Sequence, residues 1–246
     1  MPSIANKKRI IIYIICAFLF ALAGFFQAVD SLLPEFWHAL FALLAHTILI
    51  SLVIFWAVSI IHRMVRKDLL VLFITIATLI LFFLVIRMIK YGLTEDIDTL
   101  SRYLWYSYYV PQCLIPPTLF LITMSMEKKN GKPLSRKWYL IYIPAILIIV
   151  SIYTNDLHQL AFRLNFDDNK FTYDHQIVFY LALGWEILIT FASLIVMFLK
   201  CSVSTCRKRI WIPISAFVIC ALFSTICFLF NTKSFKIPEL LCFTCI

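Results

Sequence analysis

The chain has 246 residues, 63% of them hydrophobic and 14% charged, with a formal net charge of +9. A soluble domain carries roughly 25% charged residues, so this chain cannot hide its apolar surface as a water-soluble globule, and lipid must be the solvent for much of it. The excess of Lys and Arg would suggest nucleic acid in a soluble protein, but here it sits in short segments between apolar runs, which excludes that partner and points to membrane orientation.

In chain order, the apolar runs predict membrane-spanning helices at 10–29, 37–61, 69–89, 103–126, 138–154, 177–199 and 210–230. Helices satisfy their own backbone groups in lipid. The fold class is therefore all-α: a polytopic bundle of about seven transmembrane helices forming one integral-membrane domain over 1–246. The first run, from Ile10 to Val29, has the ~20 residues a span requires. It lacks a small-residue cleavage site and reads as a retained anchor. The tail from Lys236 turns apolar again and ends at Ile246. So short a segment cannot cross a core of ~30 Å, so it reads as a truncated eighth span or as an interfacial segment.

Alternate loops collect the cations. Lys7, Lys8 and Arg9, then Arg63, Arg66 and Lys67, then Lys128, Lys129, Lys132, Arg136 and Lys137, then Lys200, Arg207, Lys208 and Arg209 fall on one side. The other side has Lys90, Arg102, Arg163, Lys170, Lys233 and Lys236. The positive-inside rule makes the first side cytoplasmic, which predicts a multi-pass plasma-membrane protein with its N-terminus inside.

Signatures of catalysis are absent. The five histidines form neither HExxH nor HxxEH, and there is no GxSxG. The four glycines supply neither a GxxxG seam nor a phosphate loop. Asp96 and Asp98, preceded by Glu95, would suit a divalent cation or simple hydration. Hard cations need more oxygen ligands than this segment supplies, so no metal and no cofactor is predicted. Cys16, Cys113, Cys220 and Cys227 lie in apolar spans as small hydrophobes, and the Cys242-x-x-Cys245 pair has no redox context. The chain reads as a non-enzyme.

Polar groups within spans are more informative, because each costs ~2.5–3.5 kcal/mol at mid-membrane unless paired or hydrated. Glu186 lies deep in the sixth span and is expected to face the bundle interior, protonated or paired with a cation such as Arg87. Arg87 and Lys90 otherwise snorkel to the outer interface. Span four opens Arg102-Tyr103-Leu104-Trp105-Tyr106-Ser107-Tyr108-Tyr109-Val110-Pro111-Gln112. This is an aromatic belt in part, yet so many rings around one helix force some inward. Pro111, Pro116 and Pro117 then predict a bend near the middle of the helix, suiting a cavity or a hinge. Span five ends Thr154-Asn155-Asp156-Leu157-His158, where Thr154 or Asn155 caps the helix and Asp156 with His158 forms a candidate titratable pair. The long loop 155–176 is a candidate lid over the outer cavity.

The runs SRYLWYSYYVPQCLIPP, RKWYLIYIPAILIIVSIYTNDLHQLAF and VFYLALGW, with KCSVSTCRKRIWIP, resemble the N-terminal seven-helix sensor region of bacterial histidine kinases over roughly residues 85–235. Thr154–Leu160 is the most specific stretch and Arg102–Tyr106 the next. The resemblance implies that the outer half of the bundle detects a ligand, with Arg102, Trp105, Tyr106, Asn155 and His158 on the family's motif positions. It also implies a cytoplasmic signalling domain, commonly PAS, dimerisation and ATP-binding modules. This sequence departs from that pattern in having no phosphoacceptor-helix motif, no ATP lid and no output domain, so the expectation is a sensing module that works through a separate cytoplasmic domain or as a homodimer. The combined reading is a receptor for a small extracellular ligand held among Arg102, Trp105, Tyr106, Tyr109, Gln112, Asn155, His158 and Glu186. The alternative is a small transporter or channel component that uses intramembrane Glu186 and Arg87 as relays.

Overall fold

The computed structural model describes residues 4–30, 35–93, 99–125, 134–167 and 170–200. The predicted seventh span, the apolar tail and the acidic residues Glu95, Asp96 and Asp98 lie outside the described residues. In order the elements are α1 (Ile4–Asp30), α2 (Glu35–Arg63), α3 (Lys67–Leu93), α4 (Thr99–Tyr106), α5 (Tyr109–Ser125), a 3-10 turn (Arg136–Ile141) running into α6 (Tyr142–Tyr153), α7 (Asn155–His158), strands β1 (Phe162–Asp167) and β2 (Lys170–His175), and α8 (Ile177–Lys200). Among the described residues, 40–63, 67–90, 136–153 and 177–200 are helical stretches long and apolar enough to cross a membrane, and Ile11–Phe26 is a shorter apolar helix. The protein is therefore a membrane helix bundle.

The described residues fall into two compact units, one within residues 1–56 and one within residues 57–214. In the first, Ala23, Ala45 and Leu49 are buried, and Phe26 meets Phe41 edge-on at 5.2 Å. His46, also buried, directs Nδ1 to the Ala42 carbonyl one turn back at 2.6 Å.

In the second unit α5 is central, packed on α3, α6 and α8. Its buried positions run from Tyr109 to Ser125 and leave little of its surface outside. The lipid solvent shows on α8. Leu188, Phe191 and Ile195, at helical spacing, are exposed, whereas Val178, Ala182, Ile189 and Ser193 on the opposite side are buried. An apolar stripe turned outward, with the small Ala182 and Ser193 among the residues turned inward, is what a packed helix facing lipid requires.

The predicted fourth span is two helices, and the reason is Pro111. Proline has no N–H for the carbonyl four residues back, and its ring clashes with that carbonyl. Ser107 is that residue, and the helix breaks into a turn at Ser107–Tyr108. The Ser107 carbonyl is taken instead by Val110 N at 3.2 Å, in a tighter turn. Pro116 and Pro117 stay inside α5. The principal interruption thus lies nearer the start of the predicted span than its middle.

The described part of the predicted lid loop is regular structure. Gln159, with a left-handed φ of 50°, ends α7. The chain then forms an antiparallel hairpin in which Phe162 pairs with His175, Arg163 with Asp174 and Leu164 with Tyr173. Phe162 and His175 thus share one face of the hairpin, and Arg163 and Asp174 the other. The all-α expectation therefore gains a two-stranded β element.

Candidate functional site

The hairpin sits on the first half of the interrupted helix. Asn155 is fully buried at the start of α7, and its amide has every partner it can use well. Oδ1 accepts from Ala161 N at 2.8 Å and from Phe162 N at 2.9 Å, and Nδ2 donates to the Phe162 carbonyl at 2.9 Å and to Tyr106 Oη at 3.2 Å. One side chain therefore satisfies the backbone at the hairpin's entry and ties it to α4. Tyr106, also fully buried, donates its hydroxyl to Asp156 Oδ1 at 2.9 Å. The other carboxylate oxygen of Asp156 meets Arg102 Nη2 at 3.0 Å, in a pair that is partly exposed on both sides. Arg102 Nε is buried without a hydrogen-bond partner among the described residues.

Rings fill the space behind this network. Trp105 lies with its ring centre 4.4 Å from Phe162 and 4.6 Å from Tyr173. Phe162 is 5.6 Å from Tyr109 and 5.9 Å from Phe179. His175 closes the base of the hairpin, 3.8 Å from Phe179. Burial holds the His175 imidazole below its ordinary value of 6.5, with Asp174 opposing. The neutral ring is therefore the form this packing favours.

The hairpin is joined stiffly to α8. Gln176 N donates to the Ala161 carbonyl at 2.9 Å and Val178 N to the Leu160 carbonyl at 3.0 Å. The second of these supplies a partner for an amide in the first turn of α8, which has none within the helix. α8 in turn grips α5 through three side chains, Trp185, Glu186 and Lys200. Pro117 leaves the Cys113 carbonyl without its helical donor, and Trp185 Nε1 approaches that oxygen at 3.4 Å. Beside it Gln112 Nε2 donates to Glu186 Oε2 at 2.9 Å. At the far end Lys200 Nζ reaches the carbonyls of Met124 at 2.9 Å and Thr123 at 3.3 Å, and Arg66 Nη1 that of Ser125 at 2.9 Å. Cations on the last carbonyls of a helix are favoured by its dipole.

Of the predicted site residues, Arg102, Trp105, Tyr106, Tyr109 and Asn155 come together around the hairpin. Gln112 and Glu186 form a separate contact one turn further along α5. His158 lies exposed on the outer side of the α7 turn, accepting from Leu160 N through Nδ1 at 2.9 Å, with Nε2 3.2 Å from Thr154 Oγ1. Asp156 and His158 thus take different partners instead of forming a pair. Arg87 is buried on α3, and Glu186 accepts from Gln112. Phe162, Tyr173, His175 and Phe179 were not among the predicted residues. Their signal was alternation: Phe162, Leu164 and Phe166, then Phe171, Tyr173 and His175, occupy every second position.

Comparison with known proteins gives one positive finding. A family model, the N-terminal 7TM region of histidine kinase, matches residues 39–244, reaching further toward the N-terminus than the runs quoted above. No curated protein and no solved structure matches the chain.

Proposed function

The chain belongs to the family of N-terminal 7TM regions of histidine kinases, and from that premise we propose that it detects a small extracellular ligand at its hairpin-covered end without catalysis of its own. In this reading seven helices cross the plasma membrane, the N-terminus is cytoplasmic, and the signal passes to a cytoplasmic signalling domain. The observation that carries the reading is the joint between hairpin and helix: one residue, Gln176, separates β2 from α8.

Trp105, Phe162 and Tyr173 already occupy the space between hairpin and α4. A ligand entering there must displace rings and lift the hairpin. Because the hairpin base is bonded into the first turn of α8, lifting it moves α8, and Lys200 at the other end of α8 carries the displacement to the end of α5. Ligand and hairpin thus compete for one surface, and binding shifts the population between two arrangements of α8. Asn155 and Tyr106 position the hairpin, Arg102 and Asp156 offer charge at the rim, and Gln112 with Glu186 holds α8 to α5.

The test uses the purified chain in lipid nanodiscs with a panel of amino acids, short peptides and sugars. At least one compound should raise the thermal midpoint and change amide exchange at Ala161 and Phe162, and Trp105→Ala should abolish both effects. A panel in which no compound does either refutes ligand detection at this end.

A further inference from the structure

The end of the second unit opposite the hairpin carries a different surface. The contacts of Arg66 and Lys200 with the last carbonyls of α5, and of Trp138 with Phe120 at 6.0 Å, bring the start of α3, the end of α8 and the 3-10 turn to one end of the bundle. Arg63, Lys67, Arg136 and Lys137 are exposed there. Among the described residues at this end the acidic side chain is Asp68, which Arg66 already neutralises. The end is strongly positive.

The 3-10 turn adds a depth marker. It has no buried residue, yet it is fixed from one side, since Trp138 rests on Phe120, and Tyr139 stacks on Tyr142, whose hydroxyl lies 2.7 Å from Thr118 Oγ1. Trp and Tyr settle at the boundary between headgroups and hydrocarbon. On one side of that boundary stand Arg136 and Lys137. On the other, Leu140, Ile143 and Leu147 are exposed at one-face helical spacing, 60%, 50% and 62% respectively. Cations, interfacial rings and an apolar stripe therefore follow one another in the order of a phospholipid's own parts.

We propose that this surface is a binding site for an anionic phospholipid, with Arg136 and Lys137 on the headgroup phosphate and an acyl chain along Leu140, Ile143 and Leu147. The site does not depend on ligand detection at the hairpin end, only on the chain spanning a bilayer. Its negative partner is a membrane lipid, not free phosphate, because the apolar stripe has no other use for a soluble anion. Each cation near an anionic surface favours it by about fivefold in affinity, so the two together give selectivity of roughly ten- to thirtyfold over a zwitterionic lipid.

The experiment measures binding of phosphatidylglycerol and phosphatidylcholine to the full chain by native mass spectrometry from mixed micelles, with inorganic phosphate as a further arm. The wild type should retain phosphatidylglycerol selectively. Arg136→Gln/Lys137→Gln should bring the two lipids close to parity without lowering the thermal midpoint in phosphatidylcholine, and Arg163→Gln at the opposite end should leave selectivity intact. Equal retention of both lipids by the wild type, undiminished selectivity in the double variant, or displacement of phosphatidylglycerol by millimolar phosphate would each overturn the proposal.

Discussion

Replacing Asn155 by Ala removes a fully buried amide that makes four hydrogen bonds. Two backbone N–H groups, of Ala161 and Phe162, lose their acceptor, and the Phe162 carbonyl loses a donor. A buried polar group left without a partner costs about 1–3 kcal/mol. The turn can recover part of that by admitting water, so the net loss is set by roughly two uncompensated groups, about 3 kcal/mol. The loss falls on the seating of the hairpin, not on the bundle, since Asn155 bonds the hairpin entry and α4. Hydrogen exchange at the Ala161 and Phe162 amides should accelerate roughly a hundredfold, taking 1.4 kcal/mol per factor of ten, while amides in the middle of α5 should keep their protection. Asn155→Asp retains the two acceptor bonds and loses the donor bonds, so its effect should be intermediate. If the Ala161 and Phe162 amides stay equally protected in Asn155→Ala, the amide is not what seats the hairpin and the reasoning fails.

Trp105→Ala removes the ring that lies between Phe162 and Tyr173. Trp105 is only partly buried, so the cost falls below the ~3–5 kcal/mol of a fully buried aromatic, at about 2–3 kcal/mol, and it should expose residues 162–175 to limited proteolysis while α8 survives. Because burial depresses the His175 imidazole in the folded state, its contribution is complete above the unfolded value near 6.5 and is lost as pH falls through the lower folded value. Hairpin amide protection should thus be level from pH 8 to about 6.5 and decline below it, a decline that His175→Phe abolishes. Glu186→Gln keeps an acceptor for Gln112 and should be nearly neutral in thermal stability, whereas Glu186→Leu should cost about 1–3 kcal/mol. Lys200→Met should cost a similar amount, about 1.5–3 kcal/mol, by releasing the end of α5.

The helices were legible because lipid imposes a simple rule on the sequence: long apolar runs with charges at the ends. That rule located the helices α2, α3, α6 and α8 within about four residues, and α1 with a start six residues late. It could not locate the break in the fourth run, because hydropathy is continuous across Ser107 and Tyr108. The information was in Pro111, whose effect is felt four residues upstream. Pro117 carried a second message, an unsatisfied carbonyl at Cys113, but sequence alone could not say that Trp185 would answer it. The hairpin was hidden for a different reason. Its strands are short and acidic residues adjoin them, so loop composition masked the alternation of Phe162, Leu164, Tyr173 and His175. Asn155 drew attention in the sequence as a polar residue at the end of a span. It was read as a helix cap or a ligand contact, and it bonds the hairpin's entry to Tyr106. Arg102 and Asp156 lie far apart in the chain, and only the fold could pair them.

The reading of the chain as a receptor requires the hairpin end to face the outside and the basic end the cytoplasm. Single cysteines at position 157, where Leu157 is 86% exposed on the α7 turn, and at position 137, on the opposite end, settle the matter in a background lacking the native cysteines. In intact cells a membrane-impermeant thiol reagent should label the cysteine at 157 and reach that at 137 only after permeabilisation. The reverse pattern would contradict the account at its root.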